Sequence, residues 1–598
     1  MSNRCAHAAQ RDGPRKGLSG ASVAADVVLA RNPDGSRVRD ERDAGKRRGH
    51  SNCSAAGVFP ITAAVPDLAP EREIEEFQRL RTRLADLWRL VFPRDDQAYT
   101  SVVVPSLTLD GAELAKLRGA TFYEERLLFL LIRLRNPHAR LVYVTSQPIH
   151  PQVLDYYLEM LSGIPASHAR SRLTLLCAYD SSPRPLTQKI LERSRLIERI
   201  RAALGDPARA YLTVFNSTPL ERRLAVRLGI PLNGVDPELT HLGTKSGGRK
   251  VFREAGVECP EGMEDLRSER EVEDALVELR DRRPRLRRAV VKLDESFSGE
   301  GNAIFRYPAC ASREAVRDSL QEIEFAVANE SRESYFDKLA RMGGVVEELL
   351  EAPEVASPSV QMRINPLGSV TVSSTHEQVL GGRSGQVYLG CVFPAADDYR
   401  LRLHEAGLKV GQVLAGKGVM SRFSVDFLVR RARPDVAWTV SALEINLRMG
   451  GTTHPLLALR FLTDGKLDPA TGLFLSRGGV AKYYRATDNL CSEAYRGLAP
   501  EDLVDILTLN HLSFSRRTET GILFHMIGAI SEFGKVGMMA VGNDRREADE
   551  TYARAVEILD RESAKVPPAR PSPGESRASS APLPSMLTSG LESSAREV

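Results

Sequence analysis

Two short segments with acidic residues on one face constrain this chain most. Residues 423–427 and 441–448 alternate apolar and polar side chains, which is typical of half-buried β-strands. The polar face of the first strand carries Asp426, and that of the second carries Glu444, Asn446 and Arg448. If the two strands pair antiparallel, Asp426 lies opposite Glu444. The pattern therefore predicts a sheet with two carboxylates, an amide and a guanidinium on one face.

A cation between these carboxylates explains the arrangement, because like charges at this distance repel. Hard oxygen ligands from Asp426, Glu444 and Asn446 suit Mg²⁺, which otherwise takes water and phosphate oxygens. Arg448 could hold a phosphate or a carboxylate beside the metal. The alternative is an ordinary edge strand with a polar outer face.

Composition excludes several classes of protein. The 598 residues are 42% hydrophobic, which is enough for several cores, and the formal net charge is only +4. No broad basic face indicates a nucleic-acid partner. No apolar run reaches the roughly 18 residues of a membrane span. The seven cysteines form no C-x-x-C pair, which argues against a disulfide or zinc framework and favours a reduced, cytoplasmic location. Nothing in the composition opposes a homo-oligomer.

The periodicity divides the chain into five parts. Residues 1–66 and 566–598 read as disordered segments. Residues 67–240 alternate strands and helices, including one long helix over residues 111–135, which predicts a Rossmann-like α/β domain with a parallel sheet. A different domain begins near residue 241; its division into a small subdomain, residues 241–345, and a large subdomain, residues 346–565, with antiparallel sheets is implied by the family resemblance described below.

The small subdomain carries the signals of a phosphate site. Lys245 opens a helix, and Lys292 ends the short strand 289–292. A loop of small residues follows, with Ser298, Gly299 and Gly301, and its N–H groups could close over phosphates as a flap. A strand over residues 344–350 could serve as a hinge whose backbone groups meet an adenine edge.

In this order, the parts resemble the ATP-grasp superfamily: a preceding α/β domain, two lysines, a flap, a Glu-rich hinge strand, an Asp strand and an E-x-N-x-R strand. The resemblance covers about residues 98–560, and its most specific motif is 444–448 with the Asp426 strand before it. Within the superfamily, residues 357–361, 450–455 and 520–525 resemble peptide ligases of the pheganomycin type.

The resemblance implies a two-subdomain ATP-grasp fold after the α/β domain, and it implies the following site. The phosphates would contact Lys245 and Lys292 under the flap of Ser298, Gly299 and Gly301. Adenine would meet Glu347 and Leu350, and the ribose would meet Glu354. Two Mg²⁺ ions, for which Mn²⁺ could substitute, would bind Asp426, Glu444 and Asn446, and Arg448 would hold the acyl phosphate or the carboxylate. Lys250 is an alternative to Lys245 as the first phosphate lysine.

The expected function is an ATP-dependent carboxylate–amine ligase that forms an amide, in particular a peptide bond, and releases ADP and phosphate. Its partners would be a small-molecule carboxylate and an amine or peptide, with no nucleic acid and no membrane. A carboxylate–thiol ligase or a kinase on the same scaffold is the nearest alternative. A non-catalytic ATP-binding regulator is the alternative from a different class.

Overall fold

The computed structural model describes residues 68–92, 96–109, 111–295, 301–309, 312–327, 330–381 and 387–565. These residues all belong to one compact unit, residues 64–598. The segments 1–66 and 566–598 expected to be disordered, and the flap residues Ser298 and Gly299, lie outside the described residues. No helix in the described ranges is both long enough and apolar enough to span a bilayer.

The first sheet confirms the Rossmann-like expectation, because its four described strands pair in parallel in the order β3-β2-β1-β4. The strands are β1 (Tyr99–Val104), β2 (Ala139–Thr145), β3 (Leu173–Cys177) and β4 (Ala210–Val214). Crossover connections carry helices α2 (Gly111–Lys116), α3 (Pro151–Glu159), α4 (Ala166–Arg170), α5 (Leu186–Leu191) and α6 (Ser194–Leu204), with α1 (Pro70–Val91) before and α7 (Pro219–Leu228) after. Apolar side chains on the two faces of this sheet enter separate cores.

The long helix expected over residues 111–135 is wrong in one respect. Helix α2 ends at Lys116, and a 3₁₀ segment, Ala120–Arg135, carries the chain onward. Between them Gly119 has φ 70°, a left-handed conformation that stops a helix and that glycine adopts without strain.

The second sheet is antiparallel, and its described strands follow the order β5-β9-β6-β7-β8. The strands are β5 (Gly262–Leu266), β6 (Arg288–Leu293), β7 (Asn302–Arg306), β8 (Glu324–Phe325) and β9 (Gly344–Glu348). Helices α8 (Lys245–Glu254), α9 (Glu269–Arg282), α10 (Arg313–Leu320) and α11 (Arg332–Met342) accompany it. The boundary expected between residues 345 and 346 falls inside β9.

The third sheet has eleven described strands, all paired antiparallel, and the two acidic strands are neighbours in it. The strands are β10 (Glu354–Ala356), β11 (Pro358–Ile364), β12 (Val370–Gly381), β13 (Val387–Phe393), β14 (Ser421–Arg431), β15 (Thr439–Asn446), β16 (Lys466–Leu467), β17 (Phe474–Leu475), β18 (Ala481–Cys491), β19 (Gly521–His525) and β20 (Lys535–Gly542). Helices α12 (Asp397–Gly416), α13 (Thr453–Thr463), α14 (Pro500–Leu509), α15 (Ile530–Phe533) and α16 (Arg545–Ser563) pack around it.

The two faces of strand β14 have opposite character. Phe423, Val425 and Phe427 are fully buried in the core that includes α12 residues. Ser424 and Asp426 alternate with them and so point to the other face. Burial of one face therefore fixes which side chains line the site.

Candidate active site

Strand pairing brings the predicted metal ligands together. In the β14–β15 register Asp426 lies opposite Glu444, and Ser424 lies opposite Asn446. The antiparallel opposition expected from the two sequence patterns is confirmed. Strand β15 ends at Asn446, so Arg448 sits two residues beyond the strand, in the loop that leads to helix α13.

Asp426 is held by neutral donors. Ser359 Oγ donates to its Oδ1 at 2.7 Å, and Asn446 Nδ2 donates to its Oδ2 at 3.0 Å. Removal from water, together with the facing Glu444 carboxylate, raises the pKa of Asp426 to about 6. The pair of carboxylates is therefore under electrostatic repulsion, which a divalent cation would relieve.

Lys245 reaches Glu444 from the start of helix α8. Its Nζ donates to Glu444 Oε1 at 2.7 Å, and only 9% of the lysine side chain is exposed. A Cβ at Gly247 would lie 2.0 Å from the His241 carbonyl oxygen, so this glycine permits the close turn from the preceding segment into α8. Burial favours the neutral form of Glu444, but Lys245, together with Arg448 and Lys292, outweighs it and holds the pKa below its ordinary value.

Lys250 has a different environment. Its ammonium pairs with Asp265 at 2.5 Å, and both side chains are at least half exposed. Of the two lysines considered from the sequence, the structure places Lys245 beside the acidic strands and Lys250 at the surface.

Lys292 and Glu347 form a buried ion pair on adjacent strands of the second sheet. Lys292 Nζ donates to Glu347 Oε2 at 2.5 Å, and Arg249 Nη1 donates to Glu347 Oε1 at 2.8 Å. Burial opposes ionisation of Glu347, which is 1% exposed, yet the two cations hold its pKa below the ordinary value. The side chain of Glu347 therefore faces Lys292 and Arg249.

Arg249 is a residue of the site that the sequence patterns above do not single out, although the helix spacing carries a signal for it. It lies four residues after Lys245 on the same helix, so both side chains share one face. The helix pattern could have selected Arg249 over Lys250, which lies five residues from Lys245 and on a different face.

The described ones among the remaining predicted nucleotide residues lie in three different places. The Gly301 carbonyl at the base of the β6–β7 hairpin accepts from Leu293 N and from Tyr335 Oη, each at 3.0 Å. Leu350 lies two residues beyond the end of β9 and is partly exposed. Glu354 begins strand β10, where its carboxylate accepts from Arg431 Nε at 2.7 Å.

Arg448 lies close enough to both carboxylates to affect their ionisation. Its own pKa is lowered, chiefly by burial. The next residue, Met449, donates its N–H to the Phe215 carbonyl at 3.1 Å, which ties the loop to the end of β4. Thr453 Oγ1 accepts from Gly450 N and donates to Gln361 Oε1, both at 3.0 Å. The glycine-rich loop is thus anchored on both sides.

Two of the segments that resemble peptide ligases meet next to this loop. His454 Nε2 and His525 Nε2 are 2.8 Å apart, and both rings are buried. Burial lowers the pKa of His525 to about 4 and that of His454 further, so one neutral ring donates to the other near pH 7. They line a small pocket together with Arg126, Phe129, Tyr157, Pro455, Ala458, Leu523 and Met539.

The donor set fits Mg²⁺ and a polyphosphate. Asp426, Glu444 and Asn446 present only hard oxygen ligands for a cation. Among the described residues no group of three or more His, Cys, Asp or Glu is placed to hold a metal ion, so none of them forms the His and Cys cluster of a zinc centre. Lys245, Lys292 and Arg448 supply positive charge around these ligands. The two repelling carboxylates are suited to share a metal ion, and the three cationic side chains are suited to bind the phosphates of a metal–nucleotide complex.

Comparison with known proteins identifies the family. A family model described as "IQCH-like, ATP-grasp" matches residues 237–331 and 321–470, and one described as "PGM1 C-terminal domain" matches residues 502–555. The chain is 32% identical over 477 residues to the L-propargylglycine–L-glutamate ligase of Streptantibioticus cattleyicolor, a match that covers 78% of this chain and 95% of that enzyme. It is 25% identical over 448 residues to IQ motif-containing protein H of Danio rerio, covering 67% of this chain and 42% of that protein.

Solved structures with a similar arrangement include two nucleotide complexes. An N5-carboxyaminoimidazole ribonucleotide synthetase with ADP gives a TM-score of 0.45 at 10% identity, covering 78% of this chain and 98% of that one. The biotin carboxylase of Campylobacter jejuni in its β-γ-ATP complex gives 0.47 at 12% identity, covering 78% and 95%. From the 32% identity across almost the whole of a curated relative, the chain belongs to the ATP-grasp family of carboxylate–amine ligases.

Proposed function

We propose that this enzyme activates a substrate carboxylate with ATP and joins it to an amine, releasing ADP and phosphate. The observation that carries the proposal is the opposition of Asp426 and Glu444 within reach of Lys245 and Arg448. Oxygen ligands and cations in one place suit the transfer of a phosphoryl group, in which charge neutralisation and positioning are the main tasks.

The chemistry requires an activated carboxylate. A free carboxylate does not react with an amine at neutral pH, because oxide would have to leave. Transfer of the γ-phosphoryl group breaks the β–γ bond of ATP and forms an acyl phosphate. The amine then attacks the carbonyl carbon, loses a proton, and expels phosphate as the amide bond forms.

The residues have separate tasks in this scheme. Asp426, Glu444 and Asn446 would hold two Mg²⁺ ions, for which Mn²⁺ could substitute. Bound Mg²⁺ supplies Lewis-acid stabilisation of phosphate oxygens. Lys245 and Lys292 would neutralise the phosphates, and Arg448, in its planar geometry, would hold the acyl phosphate or the substrate carboxylate.

The remaining nucleotide contacts follow the family pattern. The flap residues Ser298, Gly299 and Gly301 would cover the phosphates with N–H groups. The backbone at Leu350 would receive adenine. Glu347 accepts a hydrogen bond from Lys292, so we propose that it orients this lysine and does not itself contact the adenine. Glu354 would reach the ribose hydroxyls only if it exchanged its present partner, Arg431.

Amino acids are the substrates we propose first. The relative from Streptantibioticus cattleyicolor is named for two amino acids, L-propargylglycine and L-glutamate. The corresponding product here would be a peptide bond between two amino acids, or between an amino acid and a short peptide.

The test is an assay of the full-length protein with Mg·ATP against pools of amino acids and short peptides. Nucleotide separation should show ADP and phosphate, and mass spectrometry should show a product that has lost one water relative to its two substrates. AMP with pyrophosphate would refute the acyl-phosphate route. A thioester formed only with a thiol, a stable phosphorylated substrate, or ATP binding without cleavage would support the thiol ligase, the kinase or the regulator instead.

A further inference from the structure

Four arginines converge at one end of the third sheet. Arg363 on β11 lies opposite Arg422 on β14, Arg460 comes from helix α13, and Arg133 comes from the 3₁₀ segment Ala120–Arg135. They are close enough for electrostatic repulsion to act among them: burial and these neighbouring arginines lower the pKa of Arg422 well below its ordinary value and that of Arg363 to about 10. We call these four residues the arginine cluster.

Within the described part of the chain, no carboxylate is hydrogen-bonded to the cluster; Asp464 is affected by the charge of Arg460, but it is bound by Arg135. Arg133 donates to the hydroxyls of Ser101 and Thr213, and the guanidinium of Arg363 stacks 4.4 Å from the Trp88 ring centroid. Neither Arg422 nor Arg460 has a carboxylate in hydrogen-bond range among the described residues. Arginine stays charged in proteins, so the three partly buried guanidiniums of Arg133, Arg363 and Arg422, which have no paired carboxylate among the described residues, are unfavourable unless an anion binds there.

Two buried polar groups next to the cluster also lack partners among the described residues. Tyr211 is 1% exposed, its hydroxyl is unsatisfied, and it lies near Arg363 and under Arg133, 5.3 Å from ring centroid to guanidinium. Gln361 is 4% exposed, and its Nε2 is likewise unsatisfied, although its Oε1 accepts from Thr453. Buried donors without partners are uncommon, and both could donate to a ligand oxygen.

The cluster shares a sheet face with the metal ligands. Residues two apart on a strand point the same way, and the pairs Ser359–Asp426, Gln361–Ser424 and Arg363–Arg422 follow one another along β11 and β14. Arg422 is four residues from Asp426, a separation of roughly 13 Å at about 3.3 Å per residue. Helix α13 runs beside the same path, because Thr453 binds Gln361 and Arg460 lies two turns further on.

We propose that the arginine cluster is an anion subsite that binds a free carboxylate of the substrate at the far end of the path from Asp426 past Gln361. This inference rests on the proposed ligase function and names its substrate class: an acidic substrate, such as a dicarboxylic amino acid or a short peptide. At most about four extended residues fit the span, since each covers about 3.3–3.6 Å. Gln361 Nε2 and Tyr211 Oη would donate to carbonyl or carboxylate oxygens on the way.

The first experiment measures binding to the full-length protein without nucleotide. The probe is glutarate, and glutaramide is the uncharged control with the same carbon skeleton. We expect glutarate to bind the wild type, glutaramide not to bind, and Arg422→Gln to weaken glutarate binding by about 10- to 100-fold, the effect of losing a charged hydrogen-bonding partner. Arg422→Lys should recover part of the loss, because it keeps the charge without the planar fork.

A matched control is Arg485→Gln. Like Arg422, Arg485 is a strand arginine, but it has an acidic partner in Asp549, and it stacks 4.7 Å from the Tyr552 ring centroid, as Arg363 of the cluster stacks on Trp88. It should leave glutarate binding unchanged. If Arg422→Gln failed to fold, Arg460→Gln would carry the test, since Arg460 is exposed. Equal glutarate binding by the wild type and the folded cluster variant, or equal binding of glutaramide, would overturn the subsite.

Inorganic phosphate serves as a second probe. If phosphate bound more tightly than glutarate and lost its binding in Arg422→Gln, the carboxylate assignment would be overturned in favour of a phosphate-bearing substrate.

Turnover separates this inference from the proposed function. With an active substrate pair, Arg422→Gln should raise KM for the acid-bearing substrate at least about 10-fold and change kcat little. Glutarate binding that depends on Arg422 in a protein that ligates nothing would refute the ligase and support the anion subsite. Ligation with glutarate binding unaffected by Arg422→Gln would support the ligase and refute the subsite.

Discussion

Replacing Asp426 with asparagine tests the charge balance of the site directly. The pKa of Asp426 rises from 3.8 to about 6, first because of removal from water and then because of Glu444. A difference of one pKa unit corresponds to about 1.4 kcal/mol, so ionised Asp426 destabilises the folded protein by up to ~3 kcal/mol. The substituted asparagine would lose the hydrogen bond from Asn446 Nδ2, at about 1 kcal/mol. Asp426→Asn should therefore stabilise the protein by about 2 kcal/mol at about pH 7.5 without metal.

The gain should depend on pH in a defined direction. Because the folded state binds the Asp426 proton more tightly than the unfolded state, the destabilisation is absent below about pH 4. It develops as pH rises and is complete above about pH 6. Urea unfolding of both proteins at about pH 4 and about pH 7.5 should show a larger free energy of unfolding for the variant than for the wild type only at the higher pH.

Asp464→Asn is the matched control with the opposite sign. Hydrogen bonds from Arg135, one at 2.7 Å, lower the pKa of Asp464, so its ionised form stabilises the fold. This variant should be less stable than the wild type at the higher pH. If Asp426→Asn lost as much stability as Asp464→Asn, the repulsion argument would be refuted.

Adding Mg·ADP should reverse the order. A ligand at about 100 times its Kd stabilises the folded state by about 2.7 kcal/mol, and the wild type should bind it better than the variant. An equal gain for both proteins would mean that Asp426 is not a metal ligand.

Three further substitutions, one of them with a matched control, test the other site residues. Glu444→Gln should lower turnover by about 10²–10³, because it removes one preorganised charge. Without metal it should also lower the thermal midpoint, because ionised Glu444 pairs with the buried Lys245, which holds the pKa of Glu444 below its ordinary value; full turnover in the folded variant would contradict the role. Arg448→Lys keeps the charge but loses the planar fork, so kcat should fall, and an unchanged kcat would argue against a bidentate contact. Lys245→Met should raise KM for ATP, whereas Lys250→Met should not, because Lys250 pairs with Asp265 at the surface; equal effects on KM would show that neither lysine is specific to the nucleotide.

Local patterns in the chain were enough to predict the two acidic strands and the face that each side chain occupies. Alternation over residues 423–427 and 441–446 set which side chains share a face, and the pairing of Asp426 with Glu444 followed from antiparallel geometry. The parallel first sheet was also predictable, since strands that alternate with helices cross over in one direction. These features depend on residues a few positions apart, whose spacing is visible in the sequence.

Contacts between distant elements required the tertiary structure. Lys245 meets Glu444 across 199 positions, and Arg249 meets Glu347 across 98. The arginine cluster joins two strands, a helix and a 3₁₀ segment. No periodicity encodes such meetings, because they depend on how three sheets and their helices pack. The sequence by itself determined which residues line each strand face, and only packing decided which charges would face one another there.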